Sequence, residues 1–176
     1  TRDETFKYPL YRSPEDLIRI DLSPFSEKFK GESIVARIEG KKVQPYYSKH
    51  QIDAEKVLEG KALEIAWLKD RLDVAFLHIQ GSGRLRLRDG NELLVNYQAS
   101  NGRPYRSIGR YMIEKGFVGR EEMSMQGIRK YLTDHPEVLD EVLNSNPSYV
   151  FFRQVEKGPL GSLGTLLTPG RSLALD

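Results

Sequence analysis

Three short stretches hold the side chains best suited to chemistry. Gln80-Gly-Ser-Gly83 is a polar corner between apolar runs. It reads either as a strand end with a glycine bulge that lets backbones approach, or as a corner presenting Gln80 and Ser82 to the hydroxyls of a sugar. Asn101-Gly-Arg-Pro-Tyr-Arg-Ser107 begins as a turn and runs into a helix start. There Tyr105, Arg106 and Ser107 stand where open backbone N–H groups can bind acceptors, or they serve capping and packing alone. Arg84, Arg86 and Arg88 share one face of a strand, as a ligand surface or as a solvated edge with Glu92 as partner. Tyr46, Tyr47, Tyr97, Tyr105, Tyr111 and Tyr149 can stack on sugar faces, or fill a core with hydroxyls outward.

Many other chemistries lack their residues. There is no phosphate loop of the G-x-x-x-x-G-K-S/T type, no G-x-G-x-x-G after a strand, and no H-E-x-x-H. Gly81-Ser82-Gly83 lacks the spacing of a nucleophile elbow. His50, His78 and His135 are far apart in sequence, and a metal site needs convergent ligands, so neither metal nor cofactor is expected. With no cysteine there is no disulfide framework and no thiol nucleophile. Cleaving a glycosidic bond needs a positioned carboxylic acid. The carboxylates here sit mainly in helices and turns as solubilising charges, apart from Asp176 at the end of the chain. A net charge of +2 with 30% charged residues argues against a nucleic-acid partner. No apolar run approaches the roughly 20 residues that cross a bilayer. No signal peptide precedes Thr1, which leads us to expect a piece excised from a longer protein.

The positioning elements follow from periodicity. Arg84, Arg86 and Arg88 alternate with Leu85 and Leu87, and Asp89-Gly90-Asn91 is a turn. A three-residue loop pairs Leu87 with Leu93, Leu85 with Val95 and Gly83 with Tyr97. A two-residue Asp-Gly loop would set Leu87 against Glu92 and scramble both faces, so the longer loop is preferred. Residues 16–22 and 33–38 read as strands, with 43–47 pairing back after Gly40. Ser48 caps a short helix through Ile52, Val57 and Leu58. Residues 63–68 read as strand or helix, and 74–80 as a buried strand. Helices follow: one after Pro104 through Ile108, Met112 and Ile113, one capped by Ser124 with Met125, Ile128 and Leu132 inward, and one opened by Pro136 with Leu139, Val142 and Leu143 inward. Residues 149–155 form a closing strand. Glycines and prolines from Glu156 mark a linker, and a further strand begins at Arg171. The expected fold is α+β, an antiparallel sheet or small β-barrel with three to four short helices.

Gln80-Gly-Ser-Gly83, Asn101-Gly-Arg-Pro-Tyr-Arg-Ser-Ile-Gly109 and Met123-Ser-Met-Gln-Gly-Ile-Arg129 together resemble the membrane-bound lytic murein transglycosylase A family. Tyr8-Pro-Leu-Tyr-Arg12, Asn146-Pro-Ser-Tyr-Val-Phe-Phe152 and Pro169-Gly-Arg-Ser-Leu-Ala-Leu-Asp176 extend the match in order over nearly the whole chain. The resemblance implies a peptidoglycan-cleaving enzyme, periplasmic and lipid-anchored to the outer membrane. It breaks the β-1,4 bond between N-acetylmuramic acid and N-acetylglucosamine without a metal. The muramoyl 6-hydroxyl attacks, which leaves a 1,6-anhydro ring, and one aspartate serves as acid and then base. It also implies a double-psi β-barrel carrying an inserted domain, with glycan between barrel and insert. On that basis residues 1–157 are the insert, and 158–176 are a linker and the first strand of the barrel segment. Asp176 then matches the first of three aspartates and the catalytic acid lies beyond it, so this chain alone is expected to be an inactive monomer. Its glycan-facing candidates are Gln80, Ser82, Asn101, Tyr105, Arg106, Ser107 and Gln126.

Two other classes compete. One is a non-catalytic carbohydrate- or peptidoglycan-binding module. The other is a single-strand nucleic-acid binder using the arginine face and the tyrosines, which the near-neutral charge disfavours.

Overall fold

The computed structural model describes residues 2–156. In chain order the elements are β1 (Tyr8–Tyr11), β2 (Ile18–Asp21), β3 (Ser33–Glu39), β4 (Lys42–Pro45), α1 (Lys49–Asp53), β5 (Glu64–Leu68), α2 (Arg71–Gln80), β6 (Ser82–Arg86), β7 (Glu92–Ser100), α3 (Ile108–Glu114), α4 (Met125–Asp134), α5 (Leu139–Asn144) and β8 (Val150–Val155). The β1–β5, β2–β3, β3–β4 and β6–β7 pairs are antiparallel, and the fold is α+β as its sequence leads one to expect. The described residues divide into two compact units, one of residues 2–13, 63–99 and 150–156, the other of 14–62 and 100–149.

In the first unit β1 pairs with β5, and β6, β7 and β8 form a second sheet in that order. A parallel bridge between Arg12 and Phe152 joins the end of β1 to β8. Leu10, Leu68, Val74, Leu77, Leu93, Val95 and Phe152 make one core cluster, so strands and α2 bury their apolar faces together.

Helix α2 corrects the reading of residues 74–80 as a strand. The run Val74–His78 is buried throughout, and a continuous apolar run of that length fits a buried helix as well as a buried strand. The deciding chemistry lies at its ends. Asp70 accepts the Leu72 N–H at 2.8 Å and caps the N-terminus. Gly81 takes the left-handed conformation (φ 72°) and donates its N–H to the Leu77 carbonyl, which closes the C-terminus. The 80–83 corner is therefore a helix end leading into β6, not the end of a strand. Gly83 also has a packing reason to lack a side chain, since a Cβ there would lie 2.3 Å from Leu77 Cδ2.

The β6–β7 hairpin corrects the expected register by two residues. Leu85 faces Leu93, Gly83 faces Val95, Arg84 faces Leu94 and Arg86 faces Glu92. Leu87 continues this register beyond the last paired residues, donating its N–H to the Asn91 carbonyl at 2.8 Å while its own carbonyl accepts from Gly90, so the loop is Arg88-Asp89-Gly90. A slip of two keeps every side chain on its face, so the arginine and leucine faces survive the change.

In the second unit β3 is the centre of a three-stranded sheet, with Ile20 opposite Ile34 and Ile38 opposite Val43. Residues 42–45 turn back as expected. Ser48 and Gln51 form a reciprocal capping box at α1, although that helix ends at Asp53, short of Val57 and Leu58. Ser107 caps α3 and Ser124 caps α4. Ile108, Met112, Ile128, Leu132, Val142 and Leu143 face inward, as their spacing predicts. The expected linker and strand beyond residue 156, with Asp176, lie outside the described residues.

Candidate functional site

The candidate residues fall on both units. On the first, Gln80 ends α2 with its side chain exposed, and Ser82 opens β6 half-buried opposite Asn96. The Tyr97 N–H donates to the Gly81 carbonyl at 2.6 Å, which ties the corner to β7. Tyr97 itself is 45% exposed beside it. Of the three arginines, Arg84 pairs with Glu92 at 3.1 Å. Arg88 pairs with Asp3 and lies 4.2 Å over the Phe6 ring. Two of the three charges are thus answered within the unit, which favours the solvated-edge reading of this face.

On the second unit the 101–107 segment is held from beneath. Asn101 is 1% exposed and its amide is fully engaged. Its nitrogen donates to the carbonyls of Tyr47 at 2.9 Å and Pro147 at 3.0 Å. Its oxygen accepts the N–H groups of Tyr149 at 2.9 Å and Arg103 at 3.3 Å. The Arg103 guanidinium donates to the Tyr46 carbonyl at 3.1 and 3.3 Å. Gly102 sits at φ 69°, and a Cβ there would lie 2.5 Å from Val35 Cβ, so only glycine fits against β3. The Arg106 N–H donates to Asn146 Oδ1 at 3.0 Å. Ser107 Oγ accepts from the Arg110 N–H at 3.2 Å, which assigns its oxygen lone pair to the helix cap.

Above that anchored backbone, Tyr105 is 55% exposed and the Arg106 side chain is exposed. Neither makes a side-chain hydrogen bond or ion pair among the described residues, whereas neighbouring Arg110 pairs with Glu114 at 2.8 Å. Gln126 is exposed in the first turn of α4. Sequence reasoning missed Asn146 as a determinant of this segment. Its only local signal was the Asn146-Pro147 turn dipeptide, and its partner Arg106 lies forty residues away.

Within the same unit, Tyr46 is fully buried and its hydroxyl donates to Asp16 at 2.8 Å, while Lys61 reaches the other Asp16 oxygen at 3.1 Å. Burial pushes the Asp16 carboxyl up, but the Tyr46 hydroxyl and the Lys61 ammonium outweigh it and hold the group below the ordinary aspartate value. Burial, with the Asp16 carboxylate beside it, pushes the Tyr46 phenol strongly up. This cluster is a structural charge pair that favours the ionised Asp16 carboxylate. Among the described residues no three His, Asp or Glu side chains converge on a possible metal position. No helix among them is long and apolar enough to cross a membrane.

A family model described as the MltA specific insert domain matches residues 1–153. The chain belongs to this family. It is 36% identical over 122 residues to the membrane-bound lytic murein transglycosylase A of Vibrio cholerae, an alignment covering 68% of this chain and 33% of that protein. It is 31% identical over 174 residues to the protein of the same name from Escherichia coli K12, covering 98% of this chain and 40% of that one. The chain thus spans less than half the length of either relative. Its fold matches a crystal structure of a membrane-bound lytic murein transglycosylase from Agrobacterium tumefaciens, with a TM-score of 0.87 and 35% identity over 97% of this chain and 48% of that one. It also matches E. coli MltA with bound chitohexaose, with a TM-score of 0.68 and 28% identity over 92% of this chain and 41% of that one. MltA-insert membership bears out the resemblance carried by the six sequence blocks.

Proposed function

We propose that these residues are the peptidoglycan-binding insert of a lytic transglycosylase that cleaves the MurNAc-β-1,4-GlcNAc bond and leaves a 1,6-anhydromuramoyl end. The observation that carries this reading is the likeness to an MltA structure holding chitohexaose, across most of this chain. The chemistry of the exposed side chains agrees with it. Sugar rings offer C–H faces to an aromatic such as Tyr105 and hydroxyl edges to amide, hydroxyl and guanidinium groups such as Gln80, Ser82, Gln126 and Arg106, while the Ser107 oxygen serves the α3 cap. Asn101, buried with its amide engaged, serves this reading as an anchor for the segment and not as a contact.

In this reading the carboxylate that protonates the leaving oxygen belongs to the barrel part of such an enzyme. The 176 residues alone then bind glycan as a monomer without cleaving it, with residues 1–157 as the insert and 158–176 leading into the barrel. The whole enzyme works in the periplasm, held by lipid to the outer membrane.

Co-sedimentation with purified peptidoglycan tests the binding half of the proposal. The unmodified chain is expected to pellet with the sacculi, and Gln80→Ala/Arg106→Ala to remain largely in the supernatant. Equal pelleting of both would remove Gln80 and Arg106 from the glycan-facing candidates.

A further inference from the structure

We propose that Asn146 is a positioning residue that pre-organises the Tyr105–Arg106 tip for its glycan ligand, an inference that rests on the function proposed above. Asn146 is 6% exposed. Its single side-chain oxygen accepts two backbone N–H groups, that of Arg106 at 3.0 Å and that of Ser148 at 3.1 Å. One buried acceptor therefore joins the turn after α5 to the backbone of the residue whose guanidinium stands exposed and without a counter-charge among the described residues.

The other supports of the tip complete the arrangement. Asn101 fixes its start, and the Arg103 guanidinium fixes its middle on the Tyr46 carbonyl. Ser107 passes it into α3. The backbone is bonded on both sides of Tyr105, while the side chains of Tyr105 and Arg106 make no hydrogen bond or ion pair among the described residues. A surface meant only to be soluble has no need of such support beneath two exposed side chains. A surface that must receive a ligand gains from it, because the cost of ordering the backbone is met when the chain folds and not again on contact.

The test uses the 176-residue chain, with chitohexaose followed by calorimetry and purified peptidoglycan by co-sedimentation. Asn146→Leu keeps the branched shape and removes the acceptor; affinity is expected to fall about five- to tenfold, as two surface side chains regain their freedom. Asn146→Asp keeps the acceptor for both N–H groups and should restore affinity to within about twofold, which loss of general structural integrity would not explain. Arg106→Ala is measured beside them. Wild-type affinity in Asn146→Leu alongside weakened binding in Arg106→Ala would overturn the proposal, as would Asn146→Asp binding no better than Asn146→Leu. Should Asn146→Leu fail to fold, amide hydrogen exchange on the unmodified chain decides: the Arg106 amide is expected to be protected, and rapid exchange there refutes the pin. If the unmodified chain binds neither probe, or if Tyr105→Ala and Arg106→Ala bind as tightly as it does, the glycan-facing reading itself fails, a result distinct from failure at Asn146 alone.

Discussion

Replacing Asn101 with alanine separates an anchor from a sugar contact. The substitution removes four hydrogen bonds of 2.9–3.3 Å at a site 1% exposed to solvent. The groups it leaves behind are not equal. The Pro147 carbonyl still accepts the Lys49 N–H at 3.2 Å, and Arg103 is half-buried, where water can reach its N–H. The Tyr149 N–H belongs to a fully buried residue, while the Tyr47 carbonyl loses its amide partner on a half-buried residue. One fully buried orphaned group at about 1–3 kcal/mol, with partial relief at the others, gives an expected loss of about 2–4 kcal/mol. Asn101→Asp should be no milder, because it keeps the acceptor for Tyr149 and Arg103 but turns an oxygen toward the Tyr47 and Pro147 carbonyls. Urea unfolding followed by far-UV circular dichroism measures the loss, and exchange of the Tyr149 amide localises it. Trp67, the single tryptophan, lies in the first unit, so its fluorescence reports a transition that the substitution should shift less. A loss below about 1 kcal/mol together with abolished glycan binding would refute this reasoning and return Asn101 to the role of a direct contact.

Two further expectations rest on the same unit. Gly102→Ala combines a left-handed backbone at φ 69° with a Cβ placed 2.5 Å from Val35 Cβ, for a loss of about 2–5 kcal/mol; Gly90→Ala, at φ 86° in open space, should lose only about 1–2 kcal/mol, and equal losses in thermal unfolding would show that the contact with Val35 is not restrictive. Val35→Ala should not rescue Gly102→Ala, because the atom in the way is Val35 Cβ. The lowered Asp16 carboxyl contributes stability that is present above the unfolded aspartate value near 3.8 and is lost as pH falls through the folded value; Asp16→Asn should therefore lower stability at neutral pH and flatten the acid limb of a stability–pH profile, and an unchanged limb would show that the Tyr46 and Lys61 bonds do not favour the ionised form.

Local chemistry made much of this fold legible. Ser48, Ser107 and Ser124 announce helix starts, and each accepts a backbone N–H in the structure. The Arg–Leu alternation at 84–87 placed both faces of the hairpin correctly, because a period of two survives a slip of two. What failed was information that apolar runs do not carry. The stretch at 74–80 reads as a strand until Asp70 and Gly81 are recognised as the caps of a helix. The hairpin register depended on Leu87, which bonds across the loop to Asn91 and not to Leu93. Asn101 and Asn146 illustrate a deeper limit. A sequence marks an asparagine as a turn former or a polar contact, but burial depends on partners 40 to 54 residues away, and burial decides which role applies.

That distinction orders the candidate residues by what their atoms are already doing. The Asn101 amide and the Ser107 oxygen are engaged with the backbone of their own unit, and Arg103 is held by the Tyr46 carbonyl. Tyr105, Arg106, Gln80 and Gln126 keep exposed side chains with no side-chain bond among the described residues. A binding surface needs both kinds, since contacts on an unanchored loop must be ordered by the ligand and anchors without exposed partners recognise nothing. Substitutions in the first group should therefore act mainly through stability and local order. Those in the second should weaken glycan binding while leaving the unfolding transition in place, so the two groups should separate when affinity is plotted against stability.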